Sequence, residues 1–126
     1  MNKRIINTTK APAPIGPYNQ AVIANNMMFI SGQVAIIPAT NELISGDIAT
    51  ETHQVMRNLH EILEEAQINF NHVVKTTIFL SDMSLFAQVN EVYGSYFSAD
   101  YPARETVAVK GLPKNVNVEI SMIAIL

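Results

Sequence analysis

Pro102-Ala103-Arg104-Glu105-Thr106-Val107-Ala108-Val109 is the stretch on which the fold turns. From Ala103 to Val109 it is small and β-branched, a composition that suits a strand. Alternation along a strand puts Arg104, Thr106 and Ala108 on one face and Glu105, Val107 and Val109 on the other. After a turn at Gly111-Leu112-Pro113-Lys114-Asn115 comes a second strand-like run, residues 116–126. The two runs are expected to form a hairpin. An arginine on one strand and a carboxylate, Glu119, in an otherwise apolar neighbour mark a candidate site.

Upstream, residues 4–6 are a short strand candidate. Residues 11–18 hold Pro12, Pro14, Gly16 and Pro17, which excludes a helix or a central strand. That loop ends on Tyr18, whose ring can anchor it to the core and whose hydroxyl can hydrogen-bond. Residues 20–24 and 27–34 alternate as strands around Asn25-Asn26, a two-residue turn that tolerates positive φ. The hairpin ends at Ser31-Gly32-Gln33, where the glycine signals a bulge or the close approach of another group. Residues 36–46 are expected to be a polar loop.

The first helix is predicted over residues 48–68, with Val55, Leu59, Ile62, Leu63 and Ala66 on one apolar stripe and Asp47 or Thr50 as its cap. Glu51, Arg57, Glu61, Glu64 and Glu65 are expected mainly off that stripe, as solvated charges. His53 and His60 stand two turns apart, wider than the spacing a helix uses for a metal pair, so no metal centre is expected. Residues 73–80 make a long strand. Asp82 or Ser84 then caps a second helix to about Phe97, with Leu85, Phe86, Val89, Val92, Tyr93, Tyr96 and Phe97 on its apolar face. Asn90 lies beside that face, either solvated or available to a ligand. The helix between 73–80 and 103–110 allows those two strands to be parallel. The order predicts one α+β domain over residues 1–126, with a mixed sheet and both helices packed on one face.

Only 15% of the 126 residues are charged and 48% are apolar, so the surface of a single copy is hard to cover with polar groups. A homo-oligomer resolves that shortage. The net charge of −3 and the scattered basic residues argue against a nucleic-acid partner. No apolar run reaches the roughly 20 residues of a membrane span, and the N-terminal apolar pair Ile5-Ile6 is too short for a signal core. The chain has no cysteine, which removes thiolate catalysis and disulfides. A cytoplasmic protein is the expectation.

The catalytic inventory is thin, without a Ser-His-Asp arrangement, a phosphate-cradling loop or a cluster of metal ligands. Arg104 and Glu119 either form a structural ion pair or serve a small acid. In the second case the guanidinium fork clamps a carboxylate and Glu119 holds or activates a water.

Several blocks carry a resemblance along nearly the whole chain. They are Ile15-Gly16-Pro17-Tyr18, Ser31-Gly32-Gln33, Val74-Lys75-Thr76-Thr77, Val89-Asn90-Glu91-Val92-Tyr93 with Phe97, Pro102-Ala103-Arg104 with Thr106-Val107, Lys110-Gly111-Leu112-Pro113 and Val118-Glu119-Ile120. In order and spacing the chain resembles the Rid (YjgF) family of reactive-intermediate deaminases. The resemblance implies a chorismate-mutase-like α+β fold assembled as a homotrimer, with clefts between subunits. It implies hydrolysis of 2-imino or enamine acids, released by pyridoxal-phosphate dehydratases, to 2-keto acids and ammonia, without a cofactor. By position, Arg104 would bind the substrate carboxylate and Glu119 would orient the attacking water. Tyr18, Ser31, Gly32, Asn90 and Thr106 would line the cleft.

Two positions depart from the family. Thr106 stands where cysteine is frequent, so the attacking group here must be water. Glu105 follows the arginine where a small residue is usual. Alternation turns it away from the cleft, whereas a bulge that rotated it inward would set its charge against an anionic substrate. Two other functions compete: a non-catalytic small-carboxylate-binding regulatory module using the same cleft, and an RNA-cleaving translation inhibitor, which the charge distribution disfavours.

Overall fold

The computed structural model describes residues 2–126; Met1, the first residue of the expected domain, lies outside them. The elements run β1 (Arg4–Ile6), β2 (Ala21–Ala24), β3 (Met27–Gln33), β4 (Ile36–Ile37), β5 (Glu42–Leu43), α1 (Ile48–Glu65), β6 (Val73–Leu80), α2 (Phe86–Gly94), β7 (Ala103–Ala108) and β8 (Val118–Ile125). Six strands form one sheet in the order β1-β2-β3-β8-β6-β7, in which only β6 and β7 are parallel. The short β4 and β5 pair separately.

Alternation decides what the sheet buries. Ile6, Ala21, Ile30, Met122 and Thr76 stand opposite one another across five strands, and all are buried. Arg104 continues that row on β7. The next row, Ile5, Val22, Phe29, Ile123 and Lys75, points the other way. Helix α1 covers the first face with Val55, Met56, Leu59, Ile62 and Leu63, none of them exposed. Truncating one such side chain costs about 2–5 kcal/mol. Helix α2 adds Val89, Val92 and Tyr93, and the Tyr93 hydroxyl donates to Thr76 Oγ1 at 3.1 Å. Both helices therefore lie on one face, while the opposite face leaves Phe29 and Val107 each 43% exposed.

Local expectations hold at several joints. Asn25 and Asn26 turn the β2–β3 hairpin with φ of 50° and 64°. Asp47 caps α1, accepting from Ala49 N and Thr50 N. The cap expected of Asp82 or Ser84 on the second helix is not found there: Asp82 caps a single 3-10 turn, Met83–Leu85, and α2 follows from Phe86 with no side-chain cap. The parallel crossover from β6 through α2 to β7 is present.

Four expectations are corrected. The run 103–109 does not form a hairpin with 116–126. Strand β8 pairs with β3 and β6, and β7 occupies the outer edge beyond β6. Residues 109–117 are too long a link for a tight hairpin, and Lys114 and Asn115 take left-handed φ of 58° and 55° within it. Residues 36–46 contain the β4–β5 pair rather than only loop. The helices end earlier than expected, α1 at Glu65, with Gln67 left-handed at φ 61°, and α2 at Gly94. Finally, Glu51 is 2% exposed and not a solvated charge.

Candidate functional site

Strand β7 presents Arg104 toward the helices, as alternation requires. Its guanidinium carbon lies 5.1 Å from the Tyr93 ring centre and 5.7 Å from that of Phe86. Rings at that range attract a cation by roughly 0.5–2 kcal/mol and hold its plane. Arg104 has no acidic partner among the described residues, where the ion pairs are Lys75–Glu105 and His60–Glu64. It opens instead, with Asn90, Gly94 and Tyr101, onto a cavity of about 490 Å³. Asn90 is exposed on α2, which leaves its amide free to meet a ligand.

Glu119 sits elsewhere. It pairs with Phe79 on β6, three residues from Met122, which pairs with Thr76 in the Arg104 row. An odd separation along a strand means opposite faces, so Glu119 and Arg104 of one chain point away from each other. Of the two alternatives for this pair, the structural ion pair is absent among the described residues. Glu119 lines a second cavity, about 390 Å³, together with Tyr18, Ser31 and Gly32. Its other walls include Pro12, Ile15, Val34, Ile36 and Pro113, which are apolar. Partial burial among them raises the Glu119 pKa above the ordinary glutamate value.

The bulge anticipated at Ser31-Gly32-Gln33 brings Gly32 against this carboxyl. The β3–β8 register shifts between Ile30 and Gln33. A Cβ on Gly32 would lie 2.7 Å from Glu119 Cδ and 2.8 Å from Oε2. Ser31 is held by its backbone N–H to Gln20 O and by its hydroxyl to Asn19 O, at 2.9 and 2.7 Å. Tyr18, 46% exposed, stands at the mouth, where its hydroxyl accepts from Ile15 N at 3.4 Å.

Thr106 lines neither of these cavities. Its hydroxyl oxygen is buried and has no hydrogen-bond partner. Glu105 faces away from Arg104 and is tied to Lys75 Nζ and Thr77 Oγ1, both at 3.0 Å. Those two contacts hold its carboxyl below the ordinary range. No group of three His, Asp or Glu side chains among the described residues converges as a metal site.

The sequence-predicted residues thus fall into two sets: Tyr18, Ser31, Gly32 and Glu119 in one cavity, Asn90 and Arg104 in the other. Four supporting residues escaped the sequence reading. Phe86 and Tyr93 were legible as apolar helix positions but not as an arginine platform. Gln20, 2% exposed, donates from Nε2 to Pro12 O and Ala11 O and accepts from Thr8 N, fastening the Pro-rich loop that walls the Glu119 cavity. Asn58 donates to Val34 O and Ile36 O, fixing the opposite wall. The signal for Gln20 was present: a loop of prolines exposes carbonyls that need a donor.

Residues 8–126 match the family described as Endoribonuclease L-PSP. A Mus musculus protein named 2-iminobutanoate/2-iminopropanoate deaminase is 47% identical over 123 residues, covering 98% of this chain and 91% of its own. The structure of YyfA from Yersinia pestis, described as of the conserved Rid protein family, superposes with a TM-score of 0.97 at 42% identity, covering 99% of this chain and 100% of that one. E. coli TdcF with bound serine superposes with a TM-score of 0.93 at 38% identity, covering 98% of each chain. The chain belongs to the Endoribonuclease L-PSP family, that of the YjgF/Rid proteins.

Proposed function

We propose that this protein hydrolyses 2-imino acids and their enamine tautomers to 2-keto acids and ammonia. The clefts are completed between neighbouring copies in a homotrimer. One observation carries this reading: Arg104 and Glu119, unpaired with each other, open onto separate cavities from opposite faces of one sheet. A substrate of a few heavy atoms cannot span both within a chain, so a second copy must bring the complementary half. The apolar open face, with Phe29, Val107 and Ile125 exposed, supports such an assembly. The reaction class rests on relatives named 2-iminobutanoate/2-iminopropanoate deaminase at 45–47% identity over nearly the full chain.

In the proposed cleft Arg104 grips the substrate carboxylate through its fork, and Asn90 lies beside it. Glu119 from the neighbouring copy accepts a proton as water adds to the C=N carbon. The carbon–oxygen bond forms while the C=N π pair moves to nitrogen. Glu119 then returns the proton to nitrogen, giving the neutral carbinolamine. In a second shuttle it passes the hydroxyl proton to nitrogen as the carbon–nitrogen bond breaks and the C=O bond forms, leaving a keto acid, ammonia and an ionised Glu119. Desolvation of Glu119 suits both halves, since a raised pKa makes it a better base and keeps the protonated state accessible. Tyr18, Ser31 and Gly32 shape the same wall, and Thr106 shares the strand face of Arg104, two residues on. No residue supplies a thiol, so water is the nucleophile.

RNA cleavage finds little support, since net charge is −3 and Lys75 on the open face is already paired with Glu105. No helix of the described residues is long and apolar enough to cross a membrane, and a cytoplasmic location is proposed. The test couples the protein to a dehydratase that releases 2-iminobutanoate and follows ammonia. Wild type is expected to accelerate release over buffer and Arg104→Ala to remove the acceleration. Calorimetric binding of 2-ketobutyrate without any turnover would favour the non-catalytic carboxylate-binding module instead. Light scattering is expected to give three times the 13.9 kDa chain mass; a monomer would remove the shared cleft.

A further inference from the structure

We propose that Glu51, on α1, is a positioning residue for Glu119. Its buried carboxylate pins the first residues of β8 and so sets where the water-activating carboxyl stands. This rests on the reading of Glu119 given above.

The geometry is specific. Glu51 Oε2 accepts from Asn117 N at 2.8 Å and from Val118 N at 3.2 Å, and Oε1 accepts from Asn117 Nδ2 at 3.2 Å. The ladder between β8 and β3 ends at the Ile120–Gln33 pair, so Val118 and Glu119 are paired only on the β6 side, with Leu80 and Phe79. On the side that β3 has left, Glu51 provides the acceptors a strand would otherwise give. Ser81, just past the end of β6, clamps the same residue, its N–H donating to Asn117 O and its hydroxyl to Asn117 Oδ1. The chain before this point is a 3-10 turn with no side-chain cap and two left-handed residues. Glu119, two residues beyond, accepts no hydrogen bond of its own among the described residues. Its placement therefore comes from the backbone and from the close approach of Gly32.

A buried carboxylate is costly unless every donor meets it, and charge-assisted bonds are about twice as strong as neutral ones. Three donors on two oxygens meet that condition. Burial of Glu51 at 2% exposure is thus spent on one short segment, the one that carries Glu119.

Glu51→Ala, Glu51→Gln and Asn117→Ala are compared with wild type and Glu119→Gln in the coupled ammonia assay across pH. Folding is checked by circular dichroism at the assay temperature. Expected for Glu51→Ala is a kcat at least tenfold lower with KM within twofold, because the Arg104 grip is untouched. The acid limb of the rate profile should move to lower pH as Glu119 gains water. Tyr18 and Lys114 are the other ionisable groups on that cavity, and Glu51 touches neither, so the limb reports Glu119. Glu51→Gln, which keeps an acceptor for the two backbone N–H groups, should come within threefold of wild type. If Glu51→Ala does not fold, Asn117→Ala decides, with an expected threefold or larger fall in kcat and the same displaced limb. Wild-type kcat and limb in a folded variant would overturn the proposal, as would a fall in kcat with an unmoved limb, which signals destabilisation alone. If Glu119→Gln is as active as wild type, the site reading fails as well.

Discussion

Replacing Gly32 with alanine tests the centre of the proposed cleft with a single methyl group. The backbone does not forbid it, since Gly46 is the glycine at positive φ among the described residues and Gly32 lies outside that region. What the new Cβ meets is the Glu119 side chain, at 2.7 Å from Cδ, 2.8 Å from Oε2 and 2.9 Å from Cγ. Carbon atoms pack comfortably at about 3.5–4.0 Å, so the carboxyl must withdraw by roughly 1 Å. The end of a glutamate can do so by rotation, at about 0.5–1.5 kcal/mol for an off-rotamer χ. Alanine also restricts the unfolded chain, which stabilises by about 0.4–1 kcal/mol where the conformation is allowed. The two contributions nearly cancel, and the melting temperature should change by only a few degrees.

Catalysis should not be so forgiving. A misplacement of about 1 Å at a reacting group can cost on the order of 100-fold. The coupled ammonia assay on Gly32→Ala is therefore expected to show kcat down by about two orders of magnitude, with KM and thermal stability close to wild type. A variant that keeps full activity would mean that Glu119 does not act from the position seen against Gly32. A variant that loses activity and most of its stability together would mean that the carboxyl cannot yield as argued.

Arg104→Lys keeps the charge but loses the fork; a charged hydrogen bond worth about 1.5–3 kcal/mol predicts a 10- to 150-fold fall in kcat/KM, mostly in KM, by steady-state kinetics. Tyr93→Leu should raise KM severalfold by removing the ring 5.1 Å from the guanidinium, whereas Tyr93→Phe should keep KM and lose about 1 kcal/mol of stability with the bond to Thr76. Burial raises the Glu119 pKa, so its contribution to stability is full below the unfolded value of 4.5 and is lost as pH rises through the folded one. Glu119→Gln should then melt higher than wild type near neutral pH and equal to it at about pH 4; a gain independent of pH would refute this.

How much of this was legible depends on which interactions are local. The alternation that separates Arg104 from Glu105 is a property of one strand, and it held. The Asn25-Asn26 turn and the Asp47 cap need only neighbours, and they held too. The supposed hairpin of 103–109 with 116–126 failed because partner choice in a sheet is not local. Strand β7 (ARETVA) carries two charges, which suits an edge, whereas β8 (VEISMIAI) is apolar enough to be central, and it inserts between β3 and β6. Glu51 was misread because composition marks glutamate as solvated. Yet it stands four residues before Val55, on the line of the buried stripe, and that spacing was a usable warning. The separation of the site into two cavities could not be read at all, since it depends on which strands lie between Arg104 and Glu119.

That separation has a physical reason. Lys75 and Glu105 show what happens when opposite charges lie on adjacent strands and one face: Glu105 is two residues from the partner of Lys75, and the pair closes at 3.0 Å. Had β7 and β8 been neighbours with Arg104 and Glu119 on a common face, the same closure would follow. The guanidinium would then be neutralised by the protein's own carboxylate, and a substrate acid would have to displace it. Placing β6 between the strands, and the two side chains on opposite faces, prevents self-pairing within a chain. Arg104 is left to aromatic rings, which orient it without supplying a competing anion, and Glu119 to apolar walls, which keep it basic. In the proposed trimer the two charges approach only across a cleft, with room between them for the substrate's carboxylate and C=N carbon. Assembly is then a condition of catalysis: dilution to monomer should abolish activity while leaving each chain's own contacts intact.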